Sequence, residues 1–167
     1  LDRHFSATRA IYNIMLHKAK EHYKLLKRGF NVGRPPTTAF DFHYELTKLK
    51  QLPEYSWLYE LSNVALQSKL ACLGNAFGNY FASLKKPGTR KVGMPRYKKH
   101  WSKQSYSLTS VGFTLKGHSF KPAKFDTPIK VRWSRELPSA PSQCTLTRHP
   151  SGHYYVSFLC KYIPEEL

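Results

Sequence analysis

The sequence predicts an α+β protein: an N-terminal three- to four-helix bundle over residues 1–84, a basic linker over 85–103, and a small antiparallel OB-like β-barrel over 104–163. Three observations predict it. Apolar residues recur at three- and four-residue steps as far as Leu84, which places them on one face of a helix. From Gln104 onward the periodicity is nearer two, with frequent turn residues. Between these regimes lies Lys85-Lys86-Pro87-Gly88-Thr89-Arg90-Lys91, a basic run with loop chemistry.

The first helix is expected over about 5–28, turning Ile11, Ile14, Met15, Ala19, Tyr23 and Leu26 inward, with Gly29 placed to end it. Gly33-Arg34-Pro35-Pro36 is a stiff connector, because proline fixes its own φ and biases its predecessor away from helix. Thr38 can cap a second helix, with Asp41 suited to the positive end of its dipole. Phe42, Leu46 and Leu49 form the apolar face of that helix, and Pro53 stops it. Tyr55, Trp57, Leu58 and Leu61 make a short aromatic turn into a central helix that opens at Ser62.

The central helix carries Leu66, Leu70, Leu73, Phe77, Tyr80, Phe81 and Leu84 on one stripe, which the two preceding helices are expected to cover. Beside it runs a stripe of small and polar residues: Asn63, Gln67, Gly74 and Gly78. Each glycine inside a helix costs roughly 1 kcal/mol relative to alanine, so something packs closely there, either another helix or a sugar–phosphate backbone. Beyond the linker, strands are expected at 104–108, 113–115, 129–133, 144–148 and 154–160. His149-Pro150-Ser151-Gly152 supplies the turn of a final hairpin.

A chain of 167 residues that is 41% hydrophobic and 14% aromatic can bury a real core. Its formal net charge of +17 points to a polyanionic partner, nucleic acid first and an anionic membrane surface second. The charge is also unevenly placed: between Glu60 and Asp126 there is no acid, against twelve Lys and Arg. A one-sign block of that length fits a phosphate-binding face, with a solvated basic surface as the alternative. No apolar run approaches the roughly 20 residues needed to span a bilayer, so no membrane partner and a cytoplasmic location are expected. Cys72, Cys144 and Cys160 form no framework and are expected as reduced, buried thiols. No Cys or His spacing fits a metal site.

Several segments together resemble one known family. They are Arg9-Ala10-Ile11-Tyr12-Asn13, then Ala65-Leu66-Gln67-Ser68, then Asn75-Ala76-Phe77 with Asn79-Tyr80-Phe81. Gly93-Met94-Pro95-Arg96-Tyr97-Lys98-Lys99, Gln104-Ser105-Tyr106 and Gly152-His153-Tyr154-Tyr155-Val156-Ser157-Phe158-Leu159 complete the set. In that order they resemble the TnpB (OrfB-type) transposase-associated proteins of insertion sequences, RNA-guided DNA endonucleases related to type V CRISPR effectors. The resemblance implies that the bundle is a recognition insert and the barrel a wedge domain. It also implies that the barrel lacks its first strand, the N-terminus being truncated relative to the family, and that residues 164–167 are a linker cut short.

By the same resemblance, catalysis belongs to a RuvC-like nuclease domain that follows in relatives and would use magnesium, with no cofactor and no catalytic residue in this chain. The ten acids present form no convincing cluster. The partners implied are guide RNA, target or flanking DNA, and the missing nuclease domain. Asn63, Val64 and Gln67 match the helical turn that relatives use to read flanking DNA, with Lys69 beside them. Glutamine and asparagine can each pair with adenine N6 and N7, though both residues could instead cap or bridge helices. Arg90, Lys91, Arg96, Lys98, Lys99 and Lys103 are candidate phosphate contacts, while Tyr97, Trp101 and Tyr106 are candidates for stacking on bases. Two further readings stay open: a stand-alone OB-type RNA- or single-strand-binding module, and, under the resemblance, a naturally shortened, nuclease-lacking relative acting as a DNA-binding repressor or left as the remnant of a decayed insertion sequence.

Overall fold

A computed structural model describes residues 1–88 and 90–161. Helices α1 (Asp2–Lys27), α2 (Ala39–Lys50) and α3 (Asn63–Lys85) come first, with a 3-10 helix at Pro53–Glu60 between α2 and α3. The strands β1 (Gln104–Thr109), β2 (Phe113–Lys116), β3 (Ser119–Pro122), β4 (Gln143–Arg148) and β5 (Tyr154–Leu159) follow. The protein is therefore α+β, with the switch where the periodicity changes.

Local chemistry accounts for the helix ends. At the end of α1, Phe30 N–H donates to Leu25 O and Gly29 N–H to Leu26 O, with Gly29 at φ +85°, a Schellman motif that uses glycine's access to left-handed backbone. Thr38 and Asp41 form a complete capping box on α2. Ser62 caps α3 by accepting from Ala65 N–H. At its other end, the Lys91 ammonium donates to the carbonyls of Ser83, Leu84 and Lys86.

Two cores form, and α1 and α3 contribute to both. The first joins Ile11, Met15 and Leu16 of α1, Phe42 and Leu46 of α2, Leu58, and Leu66, Leu70, Leu73 and Phe77 of α3. The expected faces are thus largely realised, although Leu26 and Leu84 at the helix ends are exposed. The second core gathers Phe5, Ala65, Tyr106, Leu108, Phe120, Cys144 and Leu146. Here His4 stacks on Phe125 at 4.6 Å between ring centres, and burial lowers its pKa to about 4. Among the three cysteines, all free, Cys144 is buried and its thiol pushed up to about 12 by that burial. Cys160 is half-buried, while Cys72 is exposed on α3, contrary to expectation.

The β region departs from the expected barrel. β1, β4 and β5 form an antiparallel sheet in the order β1-β4-β5, and β2 and β3 form a separate hairpin. Tyr106 lies opposite Leu146, and Cys144 opposite Phe158, so one face of the sheet supplies the second core. The described residues do not close a barrel. Residues 129–133 make no strand, only a single bridge from Ile129 to Phe120. On one side of that bridge Pro122 and Pro128 lack the N–H groups a longer ladder needs. Beyond it, Trp133 instead stacks on Phe158 at 5.4 Å. The β2–β3 hairpin replaces part of the expected pattern, since Ser119–Pro122 was not expected as a strand. Residues 162–163 and the expected linker at 164–167 lie outside the described residues.

The glycine stripe of α3 resolves into two cases. A methyl group at Gly74 would stand 2.6 Å from Ala39 N and 3.1 Å from Thr38 C, so the start of α2 packs directly on α3 there. Gly78 faces open space. Replacing Gly74 with Ala should therefore destabilise the protein by about 1–3 kcal/mol despite the better helix propensity. Gly78→Ala should stabilise by up to about 1 kcal/mol. Denaturant unfolding of the two variants checks this, and stabilisation by both would remove the packing argument.

Candidate nucleic-acid interface

The segment between α3 and β1 has no regular secondary structure from Arg90 to Lys99, yet it is held at several points. Lys91 docks on the end of α3, and Val92 N–H donates to Ser83 Oγ. Pro95 is buried and Met94 packs against the helical core. The central restraint is Asn13 of α1, whose Nδ2 donates to Lys98 O (3.0 Å) while its Oδ1 accepts from Lys98 N–H (2.8 Å). One amide thus satisfies both backbone groups of Lys98, as a neighbouring strand would. The Tyr97 hydroxyl shares a hydrogen bond with His17 Nδ1 (3.3 Å), and Lys20 Nζ sits 4.5 Å from the Tyr97 ring centre.

This anchoring leaves Arg96, Tyr97, Lys98, Lys99 and Lys103 exposed. Trp101, 62% exposed, presents its ring beside His100 at 4.8 Å, with Lys99 Nζ 5.4 Å from its centre. A turn at Lys99–Ser102, where Ser102 Oγ donates to Lys99 O, sets Trp101 at its tip. Cations alternating with accessible aromatic faces form a surface on which a phosphate backbone and its bases can both find partners.

Other expected site residues are placed differently. Tyr106 is 3% exposed and packs edge-on against Phe5 at 5.0 Å, so the structure corrects its assignment as a stacking residue: its ring belongs to the second core. The Lys91 ammonium is engaged with α3 carbonyls, and Arg90 is exposed. Lys69 is half-buried: its Nζ donates to Ser105 O (2.6 Å) and ties α3 to β1. Burial lowers the Lys69 pKa, with Lys98 adding to the lowering against an opposing pull from Cys72. Asn63 Oδ1 accepts from Lys50 Nζ (2.7 Å), which bridges α2 and α3. Val64 packs partly into the second core. Gln67, one turn on from Asn63, gives its backbone carbonyl to His43 Nε2, and its half-buried side chain is not engaged in a hydrogen bond among the described residues.

Arg9 and Asn13 escaped assignment as site residues although the sequence marked them as a motif. Spacing gives no hint that Asn13 meets Lys98, 85 positions away. A larger cavity of about 630 Å³ lies between α1 and α2, but Lys18 pairs there with Glu45 and Arg34 with Asp41. Its lining holds three carboxylates, Glu21, Asp41 and Glu45, against Lys18 and Arg34, so it does not select a polyanion. Among the described residues, no group of three His, Cys, Asp or Glu gathers in metal-binding proximity, and no helix is long and apolar enough to cross a membrane.

A chain of this fold, with a one-sign segment pinned in open reach, has the makings of a polyanion-binding unit. No protein-family model matches it. Over 165 residues, 96% of the chain, it is 33% identical to a Streptomyces pristinaespiralis protein named "Putative RNA-guided DNA endonuclease". The chain spans 37% of the length of that relative.

Replacing Arg96, Lys98 and Lys99 together by Ala should flatten the salt dependence of single-strand binding by about 2 units in log–log slope, from roughly 0.7 per lost phosphate contact. Titrations at several salt concentrations read this directly. An unchanged slope would make these side chains a solvated surface.

Proposed function

We propose that this chain is the nucleic-acid-binding portion of a TnpB-like RNA-guided DNA endonuclease, holding guide RNA and target or flanking DNA. The observation that carries the proposal is the acid-free stretch between Glu60 and Asp126, within which Asn13 of α1 holds the Lys98 backbone while Arg96, Lys98, Lys99 and Lys103 stay exposed. The similarity to a protein bearing the name of such an endonuclease supports the same reading. In this proposal residues 1–84 form the recognition bundle, 85–103 the basic linker and 104–163 the wedge.

In such a system base pairing with the guide reads the target, and the protein holds backbones and reads a short flanking duplex. Arg96, Lys98, Lys99 and Lys103 neutralise phosphates, and Tyr97 and Trp101 stack on unpaired bases. Asn63 and Gln67, near the start of α3, read the flanking duplex. There Gln67 is better placed than Asn63, whose amide oxygen already has Lys50 as partner. Magnesium-dependent cleavage belongs to the nuclease domain of the proposed whole.

The test is binding by the purified chain, with sequencing of the RNA that co-purifies and a selection on duplexes with a randomised flank. Retention of a defined transposon-end RNA and a preferred flanking motif is the expected result. Gln67→Ala should relax that preference at one base pair, for a loss of about 1–3 kcal/mol, while general affinity persists. Failure to bind any nucleic acid at low salt would overturn the proposal.

A further inference from the structure

A small cavity of about 70 Å³ lies where α1, α3 and β1 meet, beneath the basic segment. Arg9 of α1, Lys69 of α3, and Lys98 and Lys103 of the basic segment line it, with Thr8 and Gln104 among the remaining walls. Among the described residues, four cationic side chains therefore line one small space and no carboxylate does. Lys69 and Lys98 even share one aromatic ring, their Nζ atoms standing 5.9 Å and 5.2 Å from the centre of Tyr12. Tyr12 is 3% exposed, so this ring is fixed in the core and holds both ammonium groups near each other. Neither Arg9 nor Lys103 has an ion-pair partner among the described residues. Like charges gathered this way repel, and the ring face and the Ser105 carbonyl offset only part of that repulsion.

The second observation is Gln104, only 7% exposed. Its Nε2 donates to His100 O (2.7 Å), which sets the orientation of the amide. Its Oε1 is buried without a hydrogen-bond partner among the described residues. A buried acceptor left unpaired is unfavourable, and a simple anion would not satisfy it, since it needs a donor. A ribonucleotide backbone offers both groups at once, a phosphate for the cations and a 2′-hydroxyl for the acceptor.

We propose that this cavity is a socket for one phosphate of an RNA strand, with Gln104 Oε1 accepting a hydrogen bond from an adjoining ribose 2′-hydroxyl. The socket deepens the nucleic-acid reading above and rests on it. Its lining of cations suits a phosphate, so the strand is gripped there by its backbone. The lowered pKa of Lys69, caused first by burial, is consistent with an ammonium whose counter-charge arrives with the ligand. The socket also lies against Lys98, so a strand running along the exposed track would be fixed in register at this point.

The probes are fluorescent oligo(U) RNA and oligo(dU) DNA of about 16 nucleotides, the upper site size for a single-strand-binding fold, titrated against the whole chain by anisotropy. They differ at the sugar in the 2′-hydroxyl alone. Wild-type protein should prefer the RNA. Gln104→Leu should lower RNA affinity about fivefold, as expected for one hydrogen bond, and leave DNA affinity unchanged. Lys103→Gln should lower both affinities about tenfold, whereas Lys85→Gln, at the far end of α3, should change them less than about twofold. Lys103 is exposed and makes no hydrogen bond or ion pair among the described residues, so its replacement tests the socket with little cost to the fold. Equal wild-type affinity for the two polymers, or an unchanged ratio in Gln104→Leu, would overturn the ribose contact. Equal effects of Lys103→Gln and Lys85→Gln would overturn the socket while the wider nucleic-acid reading stands. No binding of either polymer by the wild type would overturn that wider reading itself.

Discussion

The arrangement depends on one side-chain amide. Asn13 pairs with both the N–H and the C=O of Lys98, so an irregular, strongly basic segment lies against α1 as though paired in a sheet. Without such a restraint a run of exposed cations would spread into solvent, both because its charges repel and because its backbone would gain roughly 1–2 kcal/mol of entropy per freed residue. The clamp works because Asn13 follows Tyr12 directly. Tyr12 is fixed in the helical core, and its ring supports the Lys98 and Lys69 ammonium groups. One turn of α1 thus fixes the backbone of the basic segment and also offsets part of its charge.

The second constraint is electrostatic. A folded chain carrying +17 must either disperse its cations or hold them for a purpose. Elsewhere in the fold dispersal is visible, with Lys18 on Glu45, Arg34 on Asp41 and Lys24 on Glu21. Between α3 and β1 no acid is available, and cations there are met instead by carbonyls and aromatic rings. Lys91 on the last carbonyls of α3, Lys98 near the Tyr12 ring and Lys99 near the Trp101 ring are the examples. These partners stabilise an ammonium without neutralising it, so the positive potential of the surface persists.

The α+β division was legible because it rests on local periodicity. The helix faces, the Thr38 cap and the Gly29 stop all follow from residues close together in sequence. The sheet pattern was less legible, because a strand at 129–133 was inferred from apolar alternation, whereas the prolines at 122 and 128 limit the ladder that would have confirmed it. Tyr106 was misplaced for a related reason. Its neighbourhood in sequence is basic, but alternation along β1 turns it inward beside Phe5. The Asn13–Lys98 clamp and the cavity at Gln104 were out of reach of pattern reading, since each joins residues from distant segments. What the sequence did mark was that the stretches around Arg9–Asn13, Arg96–Lys99 and Gln104 belong to a single resemblance, and the fold brings them into contact.

The central claim is that geometry held by Asn13, and not charge alone, makes the basic segment a binding surface. Asn13→Ala tests it most directly, because the substitution removes no charge. Amide exchange over residues 94–100 and RNA affinity should be measured on the same sample. The account predicts faster exchange at Lys98 and affinity about tenfold weaker, as the loss of two hydrogen bonds of roughly 0.5–1.5 kcal/mol each implies. Wild-type affinity in a variant whose basic segment exchanges freely would contradict it.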